Sequence, residues 1–261
     1  MDGGYQHGEL KFAMPLQCSV REPVTIDEPF LAALEAARRE GSAILDRLTT
    51  ALPFIELANT DEDFMTVHNE AILMASAFEQ LFDGDGNKYR LVTGFGDAFK
   101  EFGNTTVADA QKVRPDIRID TSDPARAAAQ PNWWVHQKWI DELYDVRSKV
   151  VHRGTPDSRS WGWSVFEHLV MAAHVFPLAV KLLLAKEGHY TLSDADRVRG
   201  LSVDKLLAAA QWADDREAEF KESWSKIESR TRRDLAWEKA WKAVQEEYPD
   251  LFKEPPAEGG S

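Results

Sequence analysis

The chain has 261 residues, a formal net charge of −13 and 43% hydrophobic residues. That is enough to enclose a full core and too acidic to hold nucleic acid by a broad basic surface, because such a grip comes from counterions released around cationic faces. A single cysteine, Cys18, excludes an intramolecular disulfide and a cysteine-built zinc site and fits a reducing, cytoplasmic setting.

The start, MDGGYQHGELKF, lacks the basic and apolar regions of a signal peptide. Residues 1–24 carry Gly3, Gly4, Gly8, Pro15 and Pro23 around LKFAMPLQCSV, which suits a short strand or an extended arm. Thr25 with Glu28 forms a capping box and Pro29 fits a first turn, so 29–40 is expected to be a helix closed by Gly41. Ser42 caps a second helix, which meets Pro53. Thr60 or Asp61 opens a stronger one that runs to Phe82, and its inner stripe of Ile72, Ala75, Ser76 and Phe82 also contains Glu79. The DGDGN of 83–87 has the D-x-D-x-N spacing of a calcium loop but Lys88 and Gly94 where that loop needs glycine and glutamate, so a solvated turn is expected. LVTGFGDAFKEFG has G-x-G without a third glycine or a preceding strand, which predicts a helix weakened by glycines and no dinucleotide loop. Residues 104–131, with Asn104, Pro115, Pro124 and Pro131, read as a connector able to border a site.

Asn132 is then placed to cap a helix that includes WIDELYDVRSKVVHRG at 139–154. Ile140, Leu143, Tyr144, Val150 and Val151 lie three, four or seven positions from Arg147, so the arginine sits within an apolar stripe and needs an anionic partner. Glu79, alone in its own apolar stripe, is the economical partner. His152 follows Arg147 by five residues, about 140° round a helix, so the two converge only if the last turn opens, which Gly154 would permit. Ser148 and Lys149 share the histidine's face. Lys138, Arg147, Lys149, Arg153 and Arg159 stand against Asp141, Glu142, Asp145 and Asp157, which permits a small local cationic cleft. Trp133, Trp134 and Trp139 could stack on bases, although burial in the core is their commoner use.

After the loop TPDSRSWGW, Ser164 with Glu167 forms a second capping box for a helix to about residue 185. The apolar run 169–185 is broken by His174, Pro177 and Lys181, so it is expected to be a buried helix kinked at Pro177 and no membrane span. His168 and His174, six apart, do not form a helical metal pair, and His174 reads as a satisfied core histidine. Beyond Gly188, Ser193 and Ser202 are expected to begin polar helices, with Trp212, Trp224, Trp237 and Trp241 able to form a ridge and EPPAEGGS a disordered tail. The pattern is all-α, divided into an N-terminal arm with leading helices (1–59), a bundle (60–186), a helical appendage (187–254) and the tail (255–261).

Two blocks in this order, AILMASAFEQLF at 71–82 and ELYDVRSKVVHRG at 142–154, resemble the ALExLF and lYxxRSxxxHG helices of the Apea-like branch of the HEPN superfamily, with Arg153 inserted before Gly154. The resemblance covers residues 60–186. It implies a HEPN-like helical bundle, a Glu79–Arg147 contact, and a homodimer whose facing signature helices bring both Arg-His pairs to one cleft. It also implies metal-independent cleavage of single-stranded RNA to 2′,3′-cyclic phosphate ends, possible because the 2′-hydroxyl of RNA is itself the nucleophile. In that chemistry Arg147 and His152 are catalytic, Glu79, Ser148 and Tyr144 support them, and Lys149 and Arg153 contact RNA, with no metal or cofactor. The resemblance also implies a toxin or defence role, and the acidity suits dependence on an activating partner protein. The alternative is a non-catalytic module for nucleotide or RNA binding or for protein assembly, since fold does not dictate function.

Overall fold

The computed structural model describes residues 26–60, 65–153, 161–210 and 223–249. The expected N-terminal arm, Thr25, Gly154, Trp212 and the tail lie outside them. The described residues are all-α, with β-bridge residues only at Thr60, Thr106 and Trp134, the last two paired with each other.

The first helix, α1 (Glu28–Glu40), is capped by Asp27, whose carboxylate accepts the Phe30 amide, and closes on Gly41 at φ 70°. In α2 (Ala43–Ala58) the Ser42 cap forms as expected, but the helix continues through Pro53. Residues 49 and 53 are both exposed, so the carbonyl that the proline leaves without a donor faces water and the break is not forced. Next comes α3 (Val67–Leu81), which starts from a Thr66 cap and not from Thr60 or Asp61. The glycine-containing segment is helical, as α4 (Lys88–Phe99) followed by a 3-10 turn at Lys100–Phe102. Its Gly96 is needed for close approach, because a Cβ there would stand 2.2 Å from the Gln137 amide nitrogen on the next helix. The expected connector is partly helical, with α5 (Val107–Val113), α6 (Pro124–Ala129) and a 3-10 turn at Gln130–Asn132. Asn132 therefore does not cap the signature helix α7 (Val135–Arg153). The Val107 amide donates to the Trp133 carbonyl and the Val135 amide to the Thr105 carbonyl, which holds 133–134 extended and delays the helix.

Then follow α8 (Val165–Lys186) with the expected capping box, α9 (Asp194–Ala208) with a second box between Ser193 and Asp196, and α10 (Trp224–Glu247). Ser202 starts no helix. It lies buried inside α9 and donates back to the Val198 carbonyl.

Four helices meet at one ring. Phe78 of α3 makes edge-to-face contacts with Phe95 of α4 (6.0 Å), Trp139 of α7 (5.7 Å) and Phe176 of α8 (5.4 Å). Each such contact is worth about 0.5–1.5 kcal/mol beyond the area it buries. Trp139 is thus a core residue, while Trp133 and Trp134 are half-buried. α8, long and apolar enough by composition to cross a membrane, is mostly buried inside this bundle. α2 lies along α3, and α9 packs on α7 and α8, so the boundaries expected at 59/60 and 186/187 do not separate packing units. α10 is fixed at its start by Trp224, stacked on His174 at 3.7 Å and 6°; beyond Thr231 the helix is exposed and carries Trp237 stacked on Trp241. His174 is a buried core histidine held by this stacking, with its Nε2 unpartnered among the described residues.

Gly200 of α9 faces the Phe102 ring, and a Cβ would meet three ring atoms at 2.6–2.7 Å. Gly200→Ala should therefore destabilise the protein by about 1–3 kcal/mol through overpacking, against a helix-propensity gain of about 1 kcal/mol. Urea denaturation giving unchanged or increased stability would contradict this packing.

Burial pushes His136 and His174 down to about 3, with Arg199 adding a smaller push on His174. Unfolded histidines take up protons near 6.5, so as pH falls from about 6.5 toward 3 the unfolded chain binds more protons and stability drops. The expected loss is about 1 kcal/mol per pH unit for each histidine. His174→Phe should flatten the slope of urea stability against pH between 6.5 and 4.5, and an unaltered slope would contradict the assignment.

Candidate functional site

α7 carries charged side chains on two faces and uses them differently. On the first face, Arg147 Nη1 stands 2.5 Å from Glu79 Oε2, which forms the pair expected from the two apolar stripes. The Glu79 side chain is 4% exposed and that of Arg147 31%, so a buried carboxylate holds a guanidinium that still reaches solvent. Tyr144, one turn back, lies with its ring 5.5 Å from the guanidinium carbon.

The 83–87 turn does more than solvate. The Gly86 amide donates to Glu79 Oε1 at 2.6 Å, the Gly84 amide donates to the Glu79 carbonyl at 2.9 Å, and the Tyr144 hydroxyl donates to the Gly86 carbonyl at 2.8 Å. Asp83, Asp85 and Gly86 take positive φ values of 52°, 46° and 72° to make this wrap, a conformation that Asp and Gly tolerate better than most residues. The turn thus braces Glu79, Glu79 braces Arg147, and no group of metal-binding side chains forms among the described residues. A cavity of about 230 Å³ beside Glu79 is acid-rich, with Asp46, Asp83 and Asp85 in its wall, and Arg147 does not line it. An anion meeting Arg147 would therefore come along the outer surface of α7, where Tyr144 and Ser148 are half-buried and Val151 is 60% exposed.

α7 stays helical through Arg153, so the last turn, which had to open for Arg147 and His152 of one chain to converge, is closed. The side chains of His152 and Arg153 lie outside the described residues.

On the other face, several of the charges expected to form a small cationic cleft are drawn into a buried network. Asp141, with no exposure, accepts from Arg126, from Lys88 at 2.8 Å and from Lys138 at 3.1 Å. Lys88 also reaches Asp145 at 2.6 Å, and the Arg126 guanidinium carbon lies 5.5 Å from the Trp133 ring centre. Burial holds Lys88 and Lys138 below the usual lysine range despite the pull of Asp145 and Glu142. Burial also tends to raise Glu142. His168 and the amides of Trp163 and Gly162 outweigh that and hold its carboxyl below the ordinary value. Lys149, expected beside the RNA, lines a cavity on this face together with Arg118 and Trp161.

No family model, curated protein or solved structure matches the chain. The likeness to HEPN proteins therefore rests on the residues of α3 and α7 themselves. The members sequence reasoning missed are Lys88, Arg126, Gly86 and His168. The i,i+3 spacing of Lys138 and Asp141 between the core positions Trp139, Ile140 and Leu143 was the available signal for a buried pair.

Glu79→Ala should cost about 2 kcal/mol, because it strands the Gly86 amide and leaves a half-exposed guanidinium without its carboxylate. Glu79→Gln, which keeps an acceptor for Gly86, should cost about half as much. Equal melting temperatures for Glu79→Ala and the parent would remove this role.

Proposed function

We propose that the protein is a metal-independent endoribonuclease of HEPN type that cleaves single-stranded RNA to 2′,3′-cyclic phosphate ends. The observation that carries the reading is the Arg147 guanidinium, fixed on one side by a buried Glu79 and open to solvent on the other. A guanidinium so braced can bind a phosphate through its remaining N–H groups without first being ordered, which is the form of charge stabilisation a phosphorane-like transition state needs.

In the proposed step the 2′-oxygen loses its proton to a base, forms a bond to phosphorus, and displaces the 5′-oxygen, which leaves with a proton from an acid. His152 would supply base and acid in turn, since an ordinary histidine titrates near neutral pH. Arg147 would hold the charge on the non-bridging oxygens, Tyr144 and Glu79 its position, and Ser148 the orientation of His152, while Arg153 would touch the strand and Lys149, on the opposite face of α7, would not. Because α7 is unbroken, an Arg147 and a His152 acting on one phosphate would come from two copies of the chain paired through the outer stripe of Tyr144, Arg147, Ser148 and Val151. A flexible single strand can place the 2′-oxygen in line, which an A-form duplex resists.

A specific observation also favours a non-catalytic binding or assembly module. Through Glu79 and Tyr144, both linked to Gly86, Arg147 already has a structural task in fastening the 83–87 turn.

The two readings separate on end-labelled single-stranded RNA in EDTA. His152→Ala and Arg147→Ala should each reduce cyclic-phosphate product by about two orders of magnitude or more, the scale of a lost acid-base or charge-stabilising group. The His152→Ala variant should keep the parent's circular dichroism. Cleavage that persists in His152→Ala, or RNA bound with no cyclic-phosphate product at all, would select the binding module.

A further inference from the structure

The second face of α7 opens onto a cavity of about 380 Å³ walled by the 118–121 segment and Trp161. Lys138, Glu142, Asp145 and Lys149 reach it from successive turns of α7, and Arg147, two residues from both Asp145 and Lys149 and so about 200° away, does not. Five cations, Lys88, Arg118, Arg126, Lys138 and Lys149, line or underlie the cavity with four carboxylates, Asp120, Asp141, Glu142 and Asp145.

Three of the carboxylates are committed elsewhere. Asp141 is shared by Lys88, Arg126 and Lys138, Asp145 takes Lys88, and Glu142 takes two amides and His168, while Asp120 accepts the Ser122 amide on one oxygen and stays in the cavity wall. Arg118 and Lys149 have no acid partner among the described residues. Three buried donors are also unused there: the Trp161 indole N–H in the wall, and Arg126 Nε and Gln130 Nε2 in the network beside it. Buried N–H groups without acceptors are rare, and they cluster here next to an excess of positive charge in a chain of net charge −13.

We propose that this cavity binds the phosphate of a small phosphomonoester, with Arg118 and Lys149 as the outer clamp and Lys138 and the Trp161 N–H as the inner donors. A tetrahedral dianion offers acceptors in several directions at once, which suits donors arriving from α7, from the 118–121 segment and from Trp161, whereas a carboxylate presents its lone pairs in a single plane. The Ile119 side chain and the Trp161 ring supply an apolar wall for the organic part. The size lies near the lower end of the range of about 300–1,000 Å³ for small-molecule sites, enough for one sugar phosphate or mononucleotide.

The test is titration calorimetry on the full chain with inorganic phosphate, ribose 5-phosphate and adenosine 5′-monophosphate, with sodium acetate and adenosine as comparisons. At least one phosphate compound should bind and neither comparison should match it; the tightest of the three names the source of the phosphate. Arg118→Ala and Lys149→Ala should each weaken binding about tenfold or more, while Lys149→Arg should stay within about threefold of the parent, as expected for loss and retention of a charge-assisted contact. Acetate or adenosine binding as tightly as the phosphate compounds, undiminished affinity in both alanine variants, or no heat from any phosphate compound would overturn the proposal. No RNA enters the measurement, and Arg147→Lys should retain the parent's phosphate affinity. A protein that binds phosphate in this way and cuts no RNA refutes the nuclease reading alone.

Discussion

A carboxylate with no exposure to water, Asp141, sits in the second turn of α7, the helix against which α3, α4, α5, α8 and α9 pack. Left alone it would cost several kcal/mol, so three cations have to converge on it from α4, from α6 and from α7 itself. That requirement places the start of α4, where Lys88 stands immediately after the 83–87 turn, and draws α6 and the following 3-10 turn against α7. Glu142, the next residue, imposes a second demand met by the Gly162 and Trp163 amides and His168, which fastens the start of α8. The buried charges of α7 thus act less as a source of net stability than as fixed points that admit one arrangement of the surrounding helices.

The same logic explains why the turn and the arginine belong together. The 83–87 segment starts four residues after Glu79, turns back so that the Gly86 amide meets that side chain and the Gly84 amide its carbonyl, and delivers Lys88 to Asp141. Glu79 faces one side of α7 through Arg147 and the turn supplies the other side through Lys88, so α7 is gripped on two faces by one short stretch of chain. Arg114 does similar work at the far end, donating to the carbonyls of Gly162 and Ala209 and to Glu167 of α8.

Much of this was legible in the sequence where a charge was conspicuous by isolation. Glu79 and Arg147 each stand alone in an apolar stripe, and periodicity alone pairs them. The caps at Ser42, Ser164 and Ser193 are local chemistry and were equally plain. Asp141, Glu142 and Lys138 were not, because they lie among other charges and a crowded charge pattern looks the same whether a helix face is solvated or buried against cations from distant segments. Lys88 is 53 positions from Asp141, and nothing local in either segment announces the contact. Pro53 misled for a related reason: a proline removes one helical hydrogen bond and crowds the carbonyl four residues back, a cost that is smaller where that carbonyl can turn to water, and which face is wet depends on tertiary packing. Gly96 looked like a weak point of its helix because a sequence shows the missing side chain and not the Gln137 chain that occupies its place.

The unbroken course of α7 constrains any use of its C-terminal end. A phosphate held by Arg147 lies on one side of the helix, and position 152 of the same chain projects from a point about 140° away, so a single copy offers a binding group without an adjacent proton carrier. The outer stripe of Tyr144, Arg147, Ser148 and Val151 is short, and its charge is already neutralised by Glu79, which lets two such stripes approach without the repulsion that bare arginines would bring. Pairing by a two-fold axis would then set each arginine against the other copy's final turn, the arrangement in which groups separated on one helix meet across two. With a net charge of −13 on the chain, RNA reaching that seam would gain its affinity from a handful of contacts, so its binding should weaken only gently with added salt compared with a protein that wraps nucleic acid in a basic groove.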